Sequence, residues 1–202
     1  MSVNHSGRRK AVFIDRDGVI IALNPKDEAH GFILRKDEIS ILPSVKEALR
    51  KLKEKGYLLI VVTNQPAVAR GLIEEKGIEE LHEFINEQLN RIIDAFYFCP
   101  HHPQMYSDVP SHAKKYRIAC DCRKPSPGMI LKAVKDFDID LDKSWVIGDM
   151  ASDVAMGKAA GCKTIMIKSA ANERIIVSSH EFDPSAKPDF YANNLLDAER
   201  FI

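Results

Sequence analysis

The residues best suited to chemistry are two aspartates that flank an arginine directly after a short apolar run. Asp15, Arg16 and Asp17 follow the apolar residues 11–14, and Gly18 comes next. Two carboxylates this close repel each other unless a cation lies beside them, and Mg²⁺ prefers such oxygen ligands. One carboxylate could then attack a phosphorus atom while the other transfers protons. Taken alone, the pattern is equally typical of a solvated loop after a strand.

Three further groups of polar residues end apolar runs or precede a helical segment. Residues 63–65 follow a second apolar run, and the Thr63 hydroxyl with nearby backbone N–H groups suits phosphate oxygens. Lys124 precedes a predicted helix and could neutralise phosphoryl charge, although a surface lysine is the commoner interpretation. Asp149 follows another apolar run and could complete a metal site. Asp153 could be a helix N-terminal carboxylate or a partner behind the metal ligands.

Three of the four cysteines form a second candidate site, together with a histidine. The candidate ligands are Cys99, His101, Cys120 and Cys122. A set of three cysteines and one histidine is the composition of a closed tetrahedral zinc site, which predicts a structural zinc ion. His102 is an alternative ligand to His101, and Cys99 could instead be a buried thiol at a strand end. The fourth cysteine, Cys162, is expected in the core.

The apolar runs that carry these residues alternate with amphipathic segments. Strands are predicted at 11–14, 58–62, 95–99, 145–147 and 164–167, with a sixth candidate at 190–192. Helices are predicted at 44–56, 74–93, 127–137 and 152–160. Ser44 and Glu47 would form a capping box at the first helix, and Gly56 and Gly161 would close the first and last. The alternation predicts an α/β three-layer sandwich around a mostly parallel sheet, with the ligand crevice at the carboxyl ends of the strands.

Length and charge narrow the class of protein. The 202 residues fit the usual size of one domain, so 1–202 is predicted to be a single domain. Lys plus Arg number 29 and Asp plus Glu also 29, which is not the basic excess of a duplex-binding protein. No apolar run is long enough for a membrane span, and the polar first residues predict no secretory signal. We therefore expect a cytoplasmic monomer without a nucleic-acid partner.

The order of the four motifs resembles that of the haloacid dehalogenase (HAD) superfamily of phosphohydrolases. The motifs are Asp-x-Asp, Thr, Lys and Gly-Asp-x-x-x-Asp, and the resemblance implies a Rossmann-like sheet. It also implies that Asp15 is the nucleophile of an aspartyl-phosphate, while Asp17 protonates the leaving oxygen and then activates water. Thr63 and Lys124 would hold the phosphoryl oxygens. The implied Mg²⁺ ligands are Asp15, the backbone carbonyl of Asp17, and Asp149.

Two longer motifs narrow the resemblance to one subgroup. Cys-Pro-His-His-Pro at 99–103 and Cys-Asp-Cys-Arg-Lys-Pro at 120–125 resemble the D-glycero-D-manno-heptose 1,7-bisphosphate phosphatases and histidinol-phosphatases, HAD subfamily IIIA. That subgroup lacks a cap domain, and the segments between the motifs here are too short to hold one. The zinc loop at 99–122 would then shape one wall of the substrate site. The implied reaction is removal of the C7 phosphate of heptose 1,7-bisphosphate.

The residues that would choose the substrate are fewer and less specific. Arg123 resembles the subgroup's substrate-recognition arginine, because a guanidinium fork suits a second phosphate or sugar hydroxyls. Further substrate-binding candidates are Asn64, Gln65 and Arg70. Met150 stands where the subgroup usually carries Lys or Arg, a departure that bears on the leaving group.

Three other functions compete with this interpretation. Histidinol phosphate would want an acidic partner for its amine, and the candidates are Asp27, Glu28 and Asp121. A polynucleotide 3′-phosphatase shares the Thr-Asn-Gln loop, but the chain's zero net charge and the absence of an aromatic platform near the motifs disfavour it. A non-catalytic phosphosugar-binding module would not need four intact acidic and basic residues.

Overall fold

A computed structural model describes residues 7–24, 31–103, 109–168 and 187–202 of the chain. Its strands are β1 (Ala11–Ile14), β2 (Leu58–Asn64), β3 (Ala95–Cys99), β4 (Trp145–Gly148), β5 (Lys163–Ile167) and β6 (Phe190–Ala192). They form one sheet in the order β3-β2-β1-β4-β5-β6, and every neighbouring pair is parallel. All six predicted strands are confirmed, including the sixth candidate.

Helices cover both faces of the sheet, as predicted for a three-layer sandwich. They are α1 (Val45–Glu54), α2 (Glu75–Gln88), α3 (Gly128–Phe137), α4 (Ala151–Ala160) and α5 (Leu195–Glu199). Apolar residues of α1, α2 and α5 pack against one face, and those of α3 and α4 against the other. Along β1, Val12 joins the first cluster and Phe13 the second, because successive side chains of a strand point to opposite faces.

Two predictions about the helices are wrong. Ser44 does not cap α1 through its side chain, because its backbone is left-handed with φ of 63° and its side chain accepts no capping hydrogen bond. Helix α2 ends at Gln88 and not at residue 93. Asn90 and Arg91 take φ of 57° and 55°, a conformation that ends a right-handed helix. The apolar spacing that predicted the longer helix continued to Ile92, because that side chain packs against the core although it lies beyond the helix.

Other local predictions are confirmed. Gly56 and Gly161 follow α1 and α4 with φ of 81° and 86°, the left-handed values that glycine adopts without strain. Cys162 is buried among apolar residues. The short helix α5 was not predicted from the sequence. Asn194 caps its N-terminus, and the Asn194 side chain accepts a hydrogen bond from the Asp197 N–H at 2.9 Å.

The register of the sheet brings three of the four motifs to one edge. Ile14 lies opposite Val61 on one side and Ile147 on the other. The residues that follow these three strands therefore leave the sheet side by side, at its carboxyl end. Among the described residues, no helix is long and apolar enough to cross a bilayer.

Candidate active site

A buried lysine stands between two aspartates at the carboxyl edge of the sheet. The Lys124 Nζ lies 2.8 Å from Asp15 Oδ1 and 2.6 Å from Asp153 Oδ1. All three side chains are less than a tenth exposed. Charges this deeply buried persist only when they are paired. Lys124 is therefore an internal counter-ion, which the sequence alone did not distinguish from a surface lysine.

A third carboxylate, Asp149, joins this group. One carboxylate oxygen from each of Asp15, Asp149 and Asp153 lies within 4.8 Å of the others. Burial, opposed in part by Lys124, raises the pKa of Asp15 to about 7. Burial and the charge of Asp15 raise the pKa of Asp149 to about 8. The cluster holds more negative charge than one lysine balances, so it favours a further cation.

Two glycines make room for these carboxylates. A Cβ on Gly18 would lie 2.3 Å from Asp149 Oδ2, and Gly18 has φ of 78°. A Cβ on Gly148 would lie 2.2 Å from the Asp153 side chain. No real Cβ approaches other atoms this closely, so a side chain at either position would displace an acidic residue of the cluster.

The predicted acid–base residue, Asp17, lies close enough to Asp15 for its charge to raise the pKa of that carboxyl. Its side chain is about a quarter exposed. Arg16 donates to both of its carboxylate oxygens, at 3.1 and 3.0 Å. Gln65 donates from Nε2 to Asp17 Oδ2 at 2.8 Å and to Thr63 Oγ1 at 2.9 Å. The structure thus joins Asp17 to Thr63 through one amide. Sequence reasoning missed the role of Arg16, a charged residue that is only 1% exposed.

The predicted substrate residue Asn64 forms two hydrogen bonds with the Lys124 backbone. Its Oδ1 accepts the Lys124 N–H at 3.0 Å, and its Nδ2 donates to the Lys124 carbonyl at 3.3 Å. These bonds fix the segment that carries Lys124 to the end of β2. Both amides of the 63–65 segment thus bond to protein groups, and their contact with substrate stays a prediction.

The two predicted substrate arginines lie on different loops. The Arg123 Nη1 donates to the carbonyl of His101 at 3.3 Å, which ties it to the cysteine cluster. The Arg70 guanidinium lies 5.4 Å from the centre of the Phe32 ring. Asp121, one predicted partner for an amine, is exposed. The other two, Asp27 and Glu28, lie outside the described residues.

The structure also brings the four predicted zinc ligands together. Cys99, Cys120 and Cys122 have sulfur–sulfur distances of 3.3–3.6 Å. The His101 Nδ1 lies 3.3 Å from Cys122 Sγ and 3.7 Å from Cys99 Sγ. Donors at the corners of a tetrahedron around zinc lie roughly 3.5–3.8 Å apart, given the usual Zn–S and Zn–N bond lengths. The donor set and its spacing therefore fit zinc, with His101 and not His102 as the histidine.

Such a closed set predicts a structural zinc ion. We expect about one zinc per purified chain and almost none in Cys122→Ser, because a structural site needs all four ligands. Elemental analysis of both proteins measures this directly. Cys162→Ala is the matched control, since that thiol is buried and is not among the four grouped ligands, and its zinc content should equal that of the wild type. A folded wild-type protein without zinc would contradict the assignment.

Comparisons with known proteins agree with this geometry. The family model described as HAD-hydrolase-like matches residues 121–198. A protein of Haemophilus ducreyi named D-glycero-beta-D-manno-heptose-1,7-bisphosphate 7-phosphatase is 33% identical over 96% of this chain and 98% of its own length. A protein of the same name from Rhodopseudomonas palustris is 41% identical over 76% of this chain and 81% of its own.

Solved structures show the same likeness. The D,D-heptose 1,7-bisphosphate phosphatase of B. bronchiseptica, crystallised with magnesium and phosphate, superposes with a TM-score of 0.73 at 25% identity. The match covers 95% of this chain and 97% of that one. With relatives above 30% identity along nearly its whole length, the chain belongs to the HAD-like hydrolases, in the family of phosphatases to which these heptose bisphosphate enzymes belong.

Proposed function

We propose that this protein is a Mg²⁺-dependent phosphomonoester hydrolase that works through an aspartyl-phosphate on Asp15. Its proposed substrate is D-glycero-D-manno-heptose 1,7-bisphosphate, which loses the C7 phosphate. One observation carries the chemistry: a buried carboxylate, Asp15, lies 2.8 Å from a buried lysine at the carboxyl edge of the sheet. Lys124 can therefore stabilise both the carboxylate and the phosphoryl oxygens that approach it.

The first chemical step transfers the phosphoryl group to Asp15. A carboxylate oxygen of Asp15 bonds to phosphorus while the bond from phosphorus to the leaving oxygen breaks. The electron pair stays with the leaving oxygen, which takes a proton from Asp17. Phosphoryl transfer depends on position and charge stabilisation. Lys124 provides an ammonium group beside Asp15, and Thr63, which is joined to Asp17 through Gln65, provides a hydroxyl.

The second step returns Asp15 to its starting state. Asp17, now a carboxylate, takes a proton from a water molecule whose oxygen attacks phosphorus. The bond between phosphorus and Asp15 breaks, and inorganic phosphate leaves. One residue acts first as acid and then as base, so its carboxylate must hold one position through both steps.

The acidic cluster fits Mg²⁺. Asp15 and Asp149 would hold the ion with the backbone carbonyl of Asp17. Asp153 pairs with Lys124 and accepts a hydrogen bond from the Met150 N–H at 3.1 Å. We therefore place it behind the metal ligands and not among them. When bound, Mg²⁺ neutralises charge on the carboxylates and on the transferring phosphoryl group.

We expect Mg²⁺ to raise the melting temperature more at high pH than at low pH. The pKa values of Asp15 and Asp149 rise from 3.8 to about 7 and about 8 in the folded protein. A raised carboxyl pKa stabilises the metal-free fold below pH 3.8, and this stabilisation is lost as the pH rises through 7 to 8. Mg²⁺ needs the ionised carboxylates, so its effect should grow over that window.

Thermal melts with and without Mg²⁺, taken across that pH window, measure this dependence. Asp149→Asn is the control, because it removes one proposed ligand and should show a smaller shift that changes less with pH. An equal shift at every pH would contradict the proposed site.

The substrate assignment rests on similarity and on charge. The relatives at 33–41% identity are named for the 7-phosphatase reaction on heptose 1,7-bisphosphate. A second phosphate on the substrate needs a cation, and Arg123 lies one residue from the catalytic Lys124. Zero net charge supports the further proposal that nucleic acid is not a partner. We also propose that the 202 residues form a single-domain cytoplasmic monomer.

Phosphate release from a panel of substrates with Mg²⁺ tests this function. The panel contains both anomers of heptose 1,7-bisphosphate, histidinol phosphate, fructose 1,6-bisphosphate and a 3′-phosphorylated oligonucleotide. We expect one heptose anomer to exceed the other classes by about 100-fold in kcat/KM, equivalent to about 2.7 kcal/mol of transition-state binding. The same preference for histidinol phosphate or the oligonucleotide would overturn the substrate, and no hydrolysis at all would overturn the enzyme.

A further inference from the structure

A buried chain of side chains leads from helix α2 to Asp17. It consists of His82 on α2, then Arg16, then the Asp17 carboxylate. His82 and Arg16 are 4% and 1% exposed, and the proposed chemistry gives neither side chain a role. A buried arginine far from solvent is costly unless all its contacts are made. Its partners therefore indicate what it is for.

The Arg16 guanidinium divides its donors between two groups. Its Nε and Nη2 donate to the two oxygens of Asp17, at 3.1 and 3.0 Å. Its Nη1 lies 3.2 Å from His82 Nε2. A fork that binds both oxygens of a carboxylate fixes the plane of that carboxylate as well as its distance. Arg16 thus sets the orientation of Asp17, and His82 contacts the end of the guanidinium that Asp17 leaves open.

His82 is itself held rigidly in one orientation. Its ring stacks on Phe96 with centres 4.7 Å apart and planes 18° apart, and the edge of Phe98 lies against it at 5.6 Å. Burial and the charge of Arg16 lower the pKa of His82 well below its usual value, so the ring is neutral. Since Arg16 can only donate, Nε2 is the acceptor and the ring proton lies on Nδ1.

The hydrogen bonds also distinguish the two oxygens of Asp17. Oδ2 accepts from Arg16 Nη2 and from Gln65 Nε2, which fills the two lone pairs of a carboxylate oxygen. From the described residues, Oδ1 accepts only from Arg16 Nε. A lone pair on Oδ1 is therefore available for the proton that Asp17 exchanges with the leaving oxygen and with water.

We propose that His82 and Arg16 are positioning residues for the acid–base aspartate. His82 holds the Arg16 guanidinium, and the guanidinium fork holds Asp17 so that Oδ1 exchanges the proton. This role rests on the proposed function, because it needs Asp17 to transfer a proton to the leaving oxygen. The positioning role can be separated from a packing role, because a misplaced acid slows hydrolysis only of those substrates whose leaving group needs a proton.

Two substrates with different leaving groups separate these roles. Dinitrophenyl phosphate releases a stable anion without a proton, whereas heptose 1,7-bisphosphate releases an alkoxide that must be protonated. The ratio kcat/KM covers only the steps through formation of the aspartyl-phosphate, so the later use of Asp17 as a base does not enter. We expect His82→Phe to lower kcat/KM on the heptose substrate by about 10-fold to 100-fold, and by less than about threefold on dinitrophenyl phosphate.

Conservative and control variants complete the test. In His82→Gln the amide can reach the position of Nε2 and accept from Arg16, so activity on the heptose substrate should return to within about threefold of the wild type. Ile85→Ala, on the same buried face of α2, should lower stability and leave the ratio between the two substrates unchanged. Should His82→Phe not fold, the shorter polar variant His82→Asn should give the same pattern.

Equal losses on both substrates in His82→Phe or His82→Asn, with no recovery in His82→Gln, would overturn the positioning role and leave His82 as a packing residue. A wild-type protein that hydrolyses neither substrate would instead overturn the proposed function. The two failures are therefore distinguishable in one set of assays.

Discussion

Asp15→Asn is expected to abolish turnover while leaving the fold intact. The amide has the shape of the carboxylate but is not a nucleophile toward phosphorus, so no aspartyl-phosphate can form. Removal of the nucleophile in enzymes with a covalent intermediate costs about 10⁴-fold or more in kcat. Lys124 keeps Asp153 as a partner at 2.6 Å, so the buried ammonium stays paired. Phosphate release and circular dichroism on the same preparation measure both parts of this expectation.

Asp17→Asn provides the matched comparison for that variant. It removes the acid but leaves the nucleophile, so kcat/KM on dinitrophenyl phosphate should survive while that on the heptose substrate falls by about 10²-fold to 10⁴-fold. Asp15→Asn should lose both. Substantial activity of Asp15→Asn on either substrate would contradict its assignment as the nucleophile.

Lys124→Met is expected to lower both activity and stability strongly. The ammonium group lies between Asp15 and Asp153 with almost no exposure. Removing one partner of a buried ion pair typically costs about 3–5 kcal/mol, because the remaining charge is left without compensation. Loss of a group that stabilises charge in the transition state costs about 10²-fold to 10³-fold in kcat. Denaturant unfolding and phosphate release measure the two effects.

A second variant separates the stability effect from the catalytic one. In Lys124→Met with Asp153→Asn, one of the stranded negative charges is gone, so part of the lost free energy of unfolding should return. Activity should not return, because the phosphoryl oxygens still lack their ammonium partner. Recovery of activity in the double variant would mean that Lys124 serves the fold alone.

The sequence predicted the sheet and the motifs well because both are local signals. Apolar runs such as 58–62 mark buried parallel strands, and a polar residue after each run marks the carboxyl edge. Because the carboxyl ends of parallel strands meet at one edge, a parallel sheet was enough to predict that Asp15, Thr63 and Asp149 lie at that edge. The four zinc ligands could be predicted from residue types alone, since few other arrangements use three cysteines and a histidine.

What the sequence did not reveal depends on contacts between distant residues. Arg16 and His82 are 66 positions apart, and only the packing of α2 on the sheet makes them neighbours. One signal was present: His82 falls on the apolar stripe of α2 with Ile78 and Ile85, where a histidine is expected to have a buried partner. Ser44 and the end of α2 were mispredicted because left-handed residues there override the pattern of the side chains.

Trapping the covalent intermediate tests the role of Asp15 most directly. The protein is mixed with dinitrophenyl phosphate and Mg²⁺, treated with borohydride during turnover, digested and analysed by mass spectrometry. Borohydride reduces an acyl phosphate to an alcohol, so we expect homoserine at position 15 and at no other aspartate. Homoserine at a different aspartate would contradict the proposed mechanism. The absence of homoserine during active turnover would also contradict it, provided that the Asp15→Asn variant retains activity.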